Sequence, residues 1–353
     1  MASKVLSIEM GDSLTKVCEV DFQTKNPKVY SSFVLETPKG VLEDGIITFH
    51  ETFIQSMQNH LADKKIKIKQ VIFSISSTKI ANREVTIPYV KESRIADVIK
   101  ANASDYFPIE LNQYQFAHNV LSIETDDKGS KQYKVLVLAA PNTLIDSYYS
   151  FASALGLEIV ALDYSGNSIY NAVKTECALG TQMIIKVDEN STLLMVLKDA
   201  TIVLTRTIPY GINDAINTIT YSNAWGTDLT YMEAVLISRR KTLVMRSLND
   251  QKVESSTNEE EESEIILKAK QEVTSSLSYL IGGISRVLDY YNSVNSNANI
   301  EKILLTGMGG DFSGLSKLLT NEIGSKVITL TKLEGINIEK AFKEVSFGEY
   351  ISC

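Results

Sequence analysis

The chain has 353 residues, 44% of them apolar, with 35 Lys and Arg against 43 Asp and Glu for a net charge of −8. That length suits about two domains of roughly 150 residues each with ample core, and the acidic balance excludes bulk binding to nucleic acid or anionic lipid, which needs a basic face. Three cysteines without C-x-x-C spacing (Cys18, Cys177, Cys353) suit a reducing compartment. MASKVLSIEMGDS has no apolar stretch of the length a signal peptide needs, and no run of ~18 apolar residues occurs. The expectation is a soluble, cytoplasmic protein that a partner brings to any membrane where it works.

The opening reads as a β-meander. Runs 4–10 and 16–22 flank a turn at Gly11-Asp12-Ser13, and a third run follows at 29–35. Phe53, Ile54, Met57 and Leu61 give 51–61 the spacing of a helix, and 70–76 reads as a buried strand. Residues 83–163 read as a compact α/β unit. A strand leads to a helix from about Ser93, a good N-cap, with Ile95, Val98, Ile99 and Tyr106 on its apolar stripe and Pro108 marking its end. Strands at 114–123 and 133–140 flank a polar turn. A helix at 142–155 ends at Gly156, and EIVALD closes the unit.

A second meander occupies 182–208, followed by a helix at 211–222. The stretch 250–264, with Glu259 to Glu262 consecutive, reads as a solvated acidic loop. Apolar residues from Ile266 to Tyr291 recur at three- and four-residue steps and predict one long core helix over 264–291. A strand at 302–306, a GMGG turn and a helix at 313–323 ending at Gly324 complete the pattern.

The two meanders superpose: Ile8 to Thr15 lies over Ile185 to Thr192. Duplicated halves place a ligand cleft between them. In such a cleft two hairpins point backbone N–H groups at a phosphate chain, small turn residues let the backbone approach, and hydroxyls add donors. Glu9, Gly11, Asp12, Ser13 and Lys16 mark the first hairpin. Lys186, Asp188, Ser191 and Thr192 mark the second. Gly307, Gly309 and Gly310 lie between a buried strand and a helix, where a ligand could rest on flat backbone.

At these residues the sequence resembles the actin-like ATPase superfamily, and within it the PilM family of type IV pilus assembly, relatives of the division protein FtsA. LSIEMGDSLTKVCEV resembles the first phosphate motif and ILLTGMGGDFSGL the adenosine motif. The stretch from REVTIPYV through SDYFPIEL to VLVLAAPNTLIDSYYSFASALGLEIVALD is similar to the family's inserted subdomain. The resemblance implies an α/β fold: a duplicated actin-like (ribonuclease H-like) two-lobe architecture with an inserted small α/β subdomain. Residues 1–82, 164–180 and 326–353 would form the first large subdomain and 83–163 the insert. Residues 181–224 with 296–325 would form the second large subdomain, and 225–295 the second small one.

The resemblance also implies ATP with Mg²⁺ as cofactor, and here the sequence departs from the pattern. Each family hairpin carries a carboxylate, followed by Gly, that organises Mg²⁺ and its waters. Glu9 and Gly11 keep this in the first hairpin. In the second, Lys186 stands for the acid and Asp188 for the glycine. Lysine cannot ligate Mg²⁺, and Asp188 repels a phosphate by about 4 kcal/mol at ~4 Å and an effective dielectric near 20. Lys186 could instead act as a fixed cation. The family's Ala-Glu-x-x-Lys ribose segment falls on Ala234 to Ser238, with both polar positions lost. These departures weigh against ATP hydrolysis and leave nucleotide binding open; no catalytic residue and no metal site are assigned.

The function implied is a scaffold that binds the cytoplasmic tail of a PilN-like membrane protein, peripheral at the inner face of the membrane, with pilus motor ATPases as further partners and neither nucleic acid nor membrane insertion. The tail groove is expected along the inserted helix, at Ile95, Ile99, Tyr106, Phe107, Ile109 and Leu111. The alternatives are an active ATP switch of the same family, a sugar or acyl kinase whose one positionally attractive base, Asp163, reads better as a turn residue, and an FtsA-like division protein. The last usually needs an amphipathic C-terminal membrane helix, and FKEVSFGEYISC, short and poorly amphipathic, counts against it. His50, His60 and His118 show no ligand spacing. No P-loop or G-x-S-x-G occurs.

Overall fold

The alternating runs at the start of the chain form the strands they predict. The computed structural model describes residues 4–21, 27–250, 264–295, 300–333, 337–338 and 353. The chain divides into two compact units, the first from the N-terminus to Ser168 with Cys353, the second from Ile169 to Ser352. The acidic run Glu259 to Glu262 and most of the C-terminal stretch lie outside the described residues. Cys18, Cys177 and Cys353 are free thiols.

In the first unit β1 (Lys4–Glu9), β2 (Leu14–Asp21) and β3 (Lys28–Glu36) make an antiparallel meander. A short hairpin, β4 (Leu42–Glu43) and β5 (Ile46–Ile47), leads to α1 (Glu51–Asp63). Strand β6 (Gln70–Ile75) pairs parallel with β1. Then come β7 (Ala81–Pro88), α2 (Ile95–Ala101), α3 (Ala103–Tyr106), β8 (Tyr114–Thr125) and β9 (Lys131–Pro141). Helix α4 (Asn142–Leu155) ends at Gly156 in the left-handed conformation, φ 67°, and β10 (Glu158–Tyr164) pairs parallel with β6.

The large sheet runs β10-β6-β1-β2-β3, with β10 at its edge. Phe53, Ile54, Met57 and Leu61 of α1 share one core with Leu144, Tyr148, Phe151, Ala152 and Leu155 of α4 and with Leu6, Ile8, Val71 and Phe73 of the sheet. Each large apolar side chain buried there contributes about 1.5–3 kcal/mol. This packing moves a boundary: α4 and β10, expected inside the insert, belong to the large layer. The insert proper is the sheet β7-β9-β8 with α2 and α3. Its helix is also shorter than expected. A 3₁₀ turn at Glu92–Arg94 precedes α2, so Ser93 is not its cap, and the helix breaks at Asn102, whose side chain donates back to the Val98 carbonyl at 2.8 Å.

The division between units falls within α5 (Ser165–Val173). The second unit contains β11 (Thr181–Val187), β12 (Thr192–Lys198), β13 (Thr201–Ile208), α6 (Asn213–Tyr221) and α7 (Tyr231–Arg240). After α8 (Glu264–Ser276) and α9 (Ser278–Val294) come β14 (Lys302–Gly307), α10 (Met308–Asp311), α11 (Leu315–Ile323) and β15 (Val327–Thr329). The long helix expected over 264–291 is two helices. At the break the Leu277 N–H donates to the Thr274 carbonyl, an i→i−3 bond, at 3.1 Å. Val327–Thr329, expected with the first large subdomain, pairs parallel with β14 instead.

The second sheet runs β13-β12-β11-β14-β15, and β3-β2-β1-β6-β10 reads in the same order in the first. In both, an antiparallel meander is followed by two parallel strands. The duplication hinted at by the two meanders is therefore carried by topology.

Candidate functional site

The first hairpin keeps its acid but encloses it. Glu9 and Lys16 are direct cross-strand partners on β1 and β2. The Lys16 Nζ lies 2.9 Å from Glu9 Oε2, and both residues are about 95% buried, at 5% and 4% exposure. Gly11, Asp12 and Ser13 form the half-buried turn beyond them. The Ser13 carbonyl accepts from Thr37 N–H at 2.7 Å, which fixes the turn to the end of β3. Beneath it sits Tyr148 of α4. Burial first, then the charges of Glu9 and Asp12, push its phenol well above its ordinary value, so it is neutral throughout the physiological range.

The second hairpin is turned inward. Lys186 is wholly buried, and its Nζ lies 2.5 Å from Asp188 Oδ2. The other Asp188 oxygen is buried without a hydrogen-bond partner among the described residues. The Thr192 hydroxyl donates to the Tyr210 carbonyl at 2.7 Å. The Ser191 carbonyl accepts from Asp188 N–H at 2.9 Å, and the carbonyls of Asp188 and Glu189 accept from the N–H groups of Ile212 and Asn213 at 3.0 and 2.9 Å. Two donors that a phosphate hairpin would offer, the Asp188 N–H and the Thr192 hydroxyl, are thus used within the unit.

The glycine turn has a packing cause. Val187 pairs with Gly307 across β11 and β14. Gly307 has φ 73°, and a Cβ there would lie 2.5 Å from the Val187 carbonyl oxygen. At Gly309 a Cβ would meet Val187 Cβ at 2.6 Å, whereas at Gly310 the nearest atom is 3.4 Å away. Two of the three glycines therefore answer to the close approach of Val187 on β11.

Val235 and Ser238, the positions that the ribose acid and lysine would occupy, are each 2% exposed on the inner face of α7. Glu233 cannot replace the acid through a one-residue slip. It closes a capping box, accepting from the Thr230 N–H at 2.8 Å, and these bonds hold its carboxyl below the usual range. Among the described residues no group of three or more His, Cys, Asp and Glu is placed to hold a metal. A Mg²⁺–nucleotide needs free oxygen donors. At the two positions expected to hold it, Glu9 is tied to Lys16, and Lys186 stands in place of the second acid with its ammonium against Asp188, so those residues do not fit that cofactor.

Of the six residues expected to line a partner groove, Ile95, Ile99 and Phe107 form the core of the insert, at 0%, 2% and 5% exposure. Tyr106 and Ile109 pack partly buried against it, and Leu111 begins a 3₁₀ turn. A groove does lie beside them, one layer away, within the first unit. Phe116, whose ring centroid is 6.0 Å from that of Phe107, lines it with Gln115 and Ala117 of β8, Leu138 and Ala140 of β9, Leu144 of α4, Ile75, Ile80 and Leu162 to Tyr164 of β10. This apolar hollow has a volume of about 110 Å³. Next to it along β8 lies an amide-lined hollow of about 470 Å³, bounded by Ile46, Lys79, Asn112, Gln113, Tyr114, Pro141, Asn142 and Thr143. The two are consecutive in the ladder: Gln115 pairs with Ala140 in one, Tyr114 with Pro141 in the other. Both β8 and β10 are edge strands of their sheets.

No residue of this groove except Asp163 stands out in the sequence, because each sits on an ordinary strand whose edge position only the tertiary pairing reveals. The histidines are dispersed: His50 faces Thr52 at 2.9 Å, His60 the Ser56 carbonyl at 2.9 Å, and His118 is exposed on β8.

The profile of a family described as type IV pilus assembly protein PilM matches residues 7–349. Among solved structures, the chain is similar to a PilM-PilN type IV pilus biogenesis complex, at TM-score 0.77 and 18% identity over 100% of this chain and 97% of that one. It is also similar to the ethanolamine utilization protein EutJ of Carboxydothermus hydrogenoformans, at TM-score 0.52 and 12% identity over 93% and 84%. These likenesses carry the fold, which is actin-like. No curated protein matches significantly.

Proposed function

The chain belongs to the type IV pilus assembly PilM family, and from that premise we propose that it is an actin-like scaffold that holds the cytoplasmic tail of a PilN-like membrane protein. The observation that carries this reading is the groove between the edges of β8 and β10. An extended peptide gains affinity there by adding backbone hydrogen bonds to an open edge, and specificity by placing alternate side chains in hollows. The apolar hollow of about 110 Å³ has room for a side chain of leucine size. Recruitment of this kind gives a membrane role to a chain in which no described helix is long and apolar enough to cross a bilayer.

The nucleotide site is, on this reading, degenerate: Glu9 is held by Lys16 and the second hairpin by Lys186 and Asp188. Two titrations test the pair of statements. A synthetic tail of a PilN-like protein binds the purified chain at micromolar concentration, and Phe116→Arg, which puts a charge in the hollow, abolishes it. A ligand at a hundredfold excess over its Kd raises stability by about 2.7 kcal/mol. Millimolar ATP with Mg²⁺ gives no such shift. No tail binding at high micromolar concentration defeats the scaffold, and Mg²⁺-dependent turnover defeats the degenerate site.

A further inference from the structure

The smaller hollow of the groove is apolar, yet one charge stands in it. Asp163, near the end of β10, lines the hollow beside Leu162 and Tyr164. Its Oδ1 accepts from Asn167 Nδ2 at 2.8 Å and its Oδ2 from Ser168 Oγ at 2.8 Å. Asn167 is in turn bonded at 3.3 Å to Asn119 of β8, so the carboxylate is held in place from both walls. Both donors are neutral. No Lys, Arg or His lies within ion-pair distance of Asp163 among the described residues. Each carboxylate oxygen has a second acceptor direction. A half-buried carboxylate with neutral donors alone, facing an apolar hollow, loses hydration without gaining a counter-ion.

The other end of the groove has the opposite sign. Lys79 lines the larger hollow, among the amides of Asn112, Gln113 and Asn142. The groove therefore runs from a negative end through an apolar middle to a positive, amide-rich end.

We propose that Asp163 is a specificity-determining residue of the tail site: it selects a Lys or Arg side chain of the bound segment, next to the apolar residue that fills the hollow, and so fixes the direction in which the segment lies. This rests on the tail-binding reading above. It is consistent with the composition of cytoplasmic segments that flank membrane spans, which carry an excess of Lys and Arg. A charged partner adds a charge-assisted bond where a neutral one adds little. Lys79 at the far end disfavours the reversed segment by like-charge repulsion.

The test uses the full chain and a displayed library of random twelve-residue peptides, selected in parallel against the natural protein, Asp163→Asn and Phe116→Arg. Peptides selected by the natural protein carry Lys or Arg at one fixed offset from an apolar residue, and those selected by Asp163→Asn keep the apolar residue and lose the basic one. For one selected peptide, Asp163→Asn and replacement of the peptide's basic residue by Gln each cost about tenfold in affinity, and together no more than either alone. A second reading needs no variant: raising NaCl from about 0.05 M to 0.5 M weakens the basic peptide more than its Gln form. Basic enrichment that persists in Asp163→Asn, additive losses, or an equal response to salt overturns the role of Asp163 while leaving the groove. Selection that Phe116→Arg does not disturb removes the groove reading, and this inference with it.

Discussion

The two hairpins of the duplicated sheets solve one electrostatic problem in different ways. In the first, acid and base face each other across the ladder, Glu9 on β1 and Lys16 on β2, both nearly dry. In the second, they stand two residues apart on one chain, with Lys186 at 0% and the Asp188 side chain at 23% exposure. The base occupies the position of the acid, and the acid has moved into the turn. A buried pair tolerates neither partner alone, since the survivor keeps its desolvation cost without its counter-ion. Each hairpin thus carries an acid–base pair of its own, Glu9 with Lys16 and Lys186 with Asp188.

That comparison orders the mutational expectations. Lys16→Met strands Glu9 at 5% exposure and costs about 3 kcal/mol of stability, while Glu9→Gln with Lys16→Met costs less than the single change. Chemical denaturation measures both; an equal cost for single and double variants breaks the pair account. Gly307→Ala costs about 2–3 kcal/mol from a left-handed φ of 73° and the contact with Val187, while Gly310→Ala stays within about 0.5 kcal/mol. A ligand-dependent glycine turn would show the reverse order only in the presence of nucleotide. Lys186→Met costs about 1–2 kcal/mol, less than its counterpart, because Asp188 at 23% exposure reaches water.

The smallest effect lies outside the hairpins, at the cap of α7. The Thr230 bonds hold the Glu233 carboxyl below its ordinary value of 4.5. A lowered carboxylate value gives stability that is present above the ordinary value and lost as pH falls through the folded one. The melting-temperature gap between the natural protein and Glu233→Gln is therefore full at neutral pH and closes as pH falls below the carboxylate range.

Local pattern carried much of the fold. The helix stripe of Phe53, Ile54, Met57 and Leu61 is buried as its spacing implies, and Gly156 and Gly324 end helices in left-handed conformations. The family resemblance reached the duplicated actin-like architecture. What the pattern missed was set by tertiary pairing. Strand β10 looks like the end of the insert until its parallel partner β6 is seen, and the break at Leu277 leaves the heptad-like spacing intact. At the site, the replacement of acid by Lys186 was legible, but the enclosure of Glu9 by Lys16 depends on cross-strand register. Of the residues expected along a partner groove, Ile95, Ile99 and Phe107 are core residues of the insert. Ile95 and Ile99 are apolar because the small sheet needs a core, and an apolar stripe reads alike whether it faces a core or a partner.

An open strand edge that waits for a partner also invites the wrong one, since any exposed ladder can template pairing with a second copy and begin aggregation. In β10 the register slips between Ile159 and Ala161, leaving Val160 as an extra residue at 43% exposure. Beyond it the regular ladder is short, and α5 starts at Ser165. A bulge of this kind bends and twists the edge away from flat extension. This irregularity thus guards the chain against sheet-to-sheet self-association, and straightening it by deletion of Val160 carries a solubility cost rather than a gain in order.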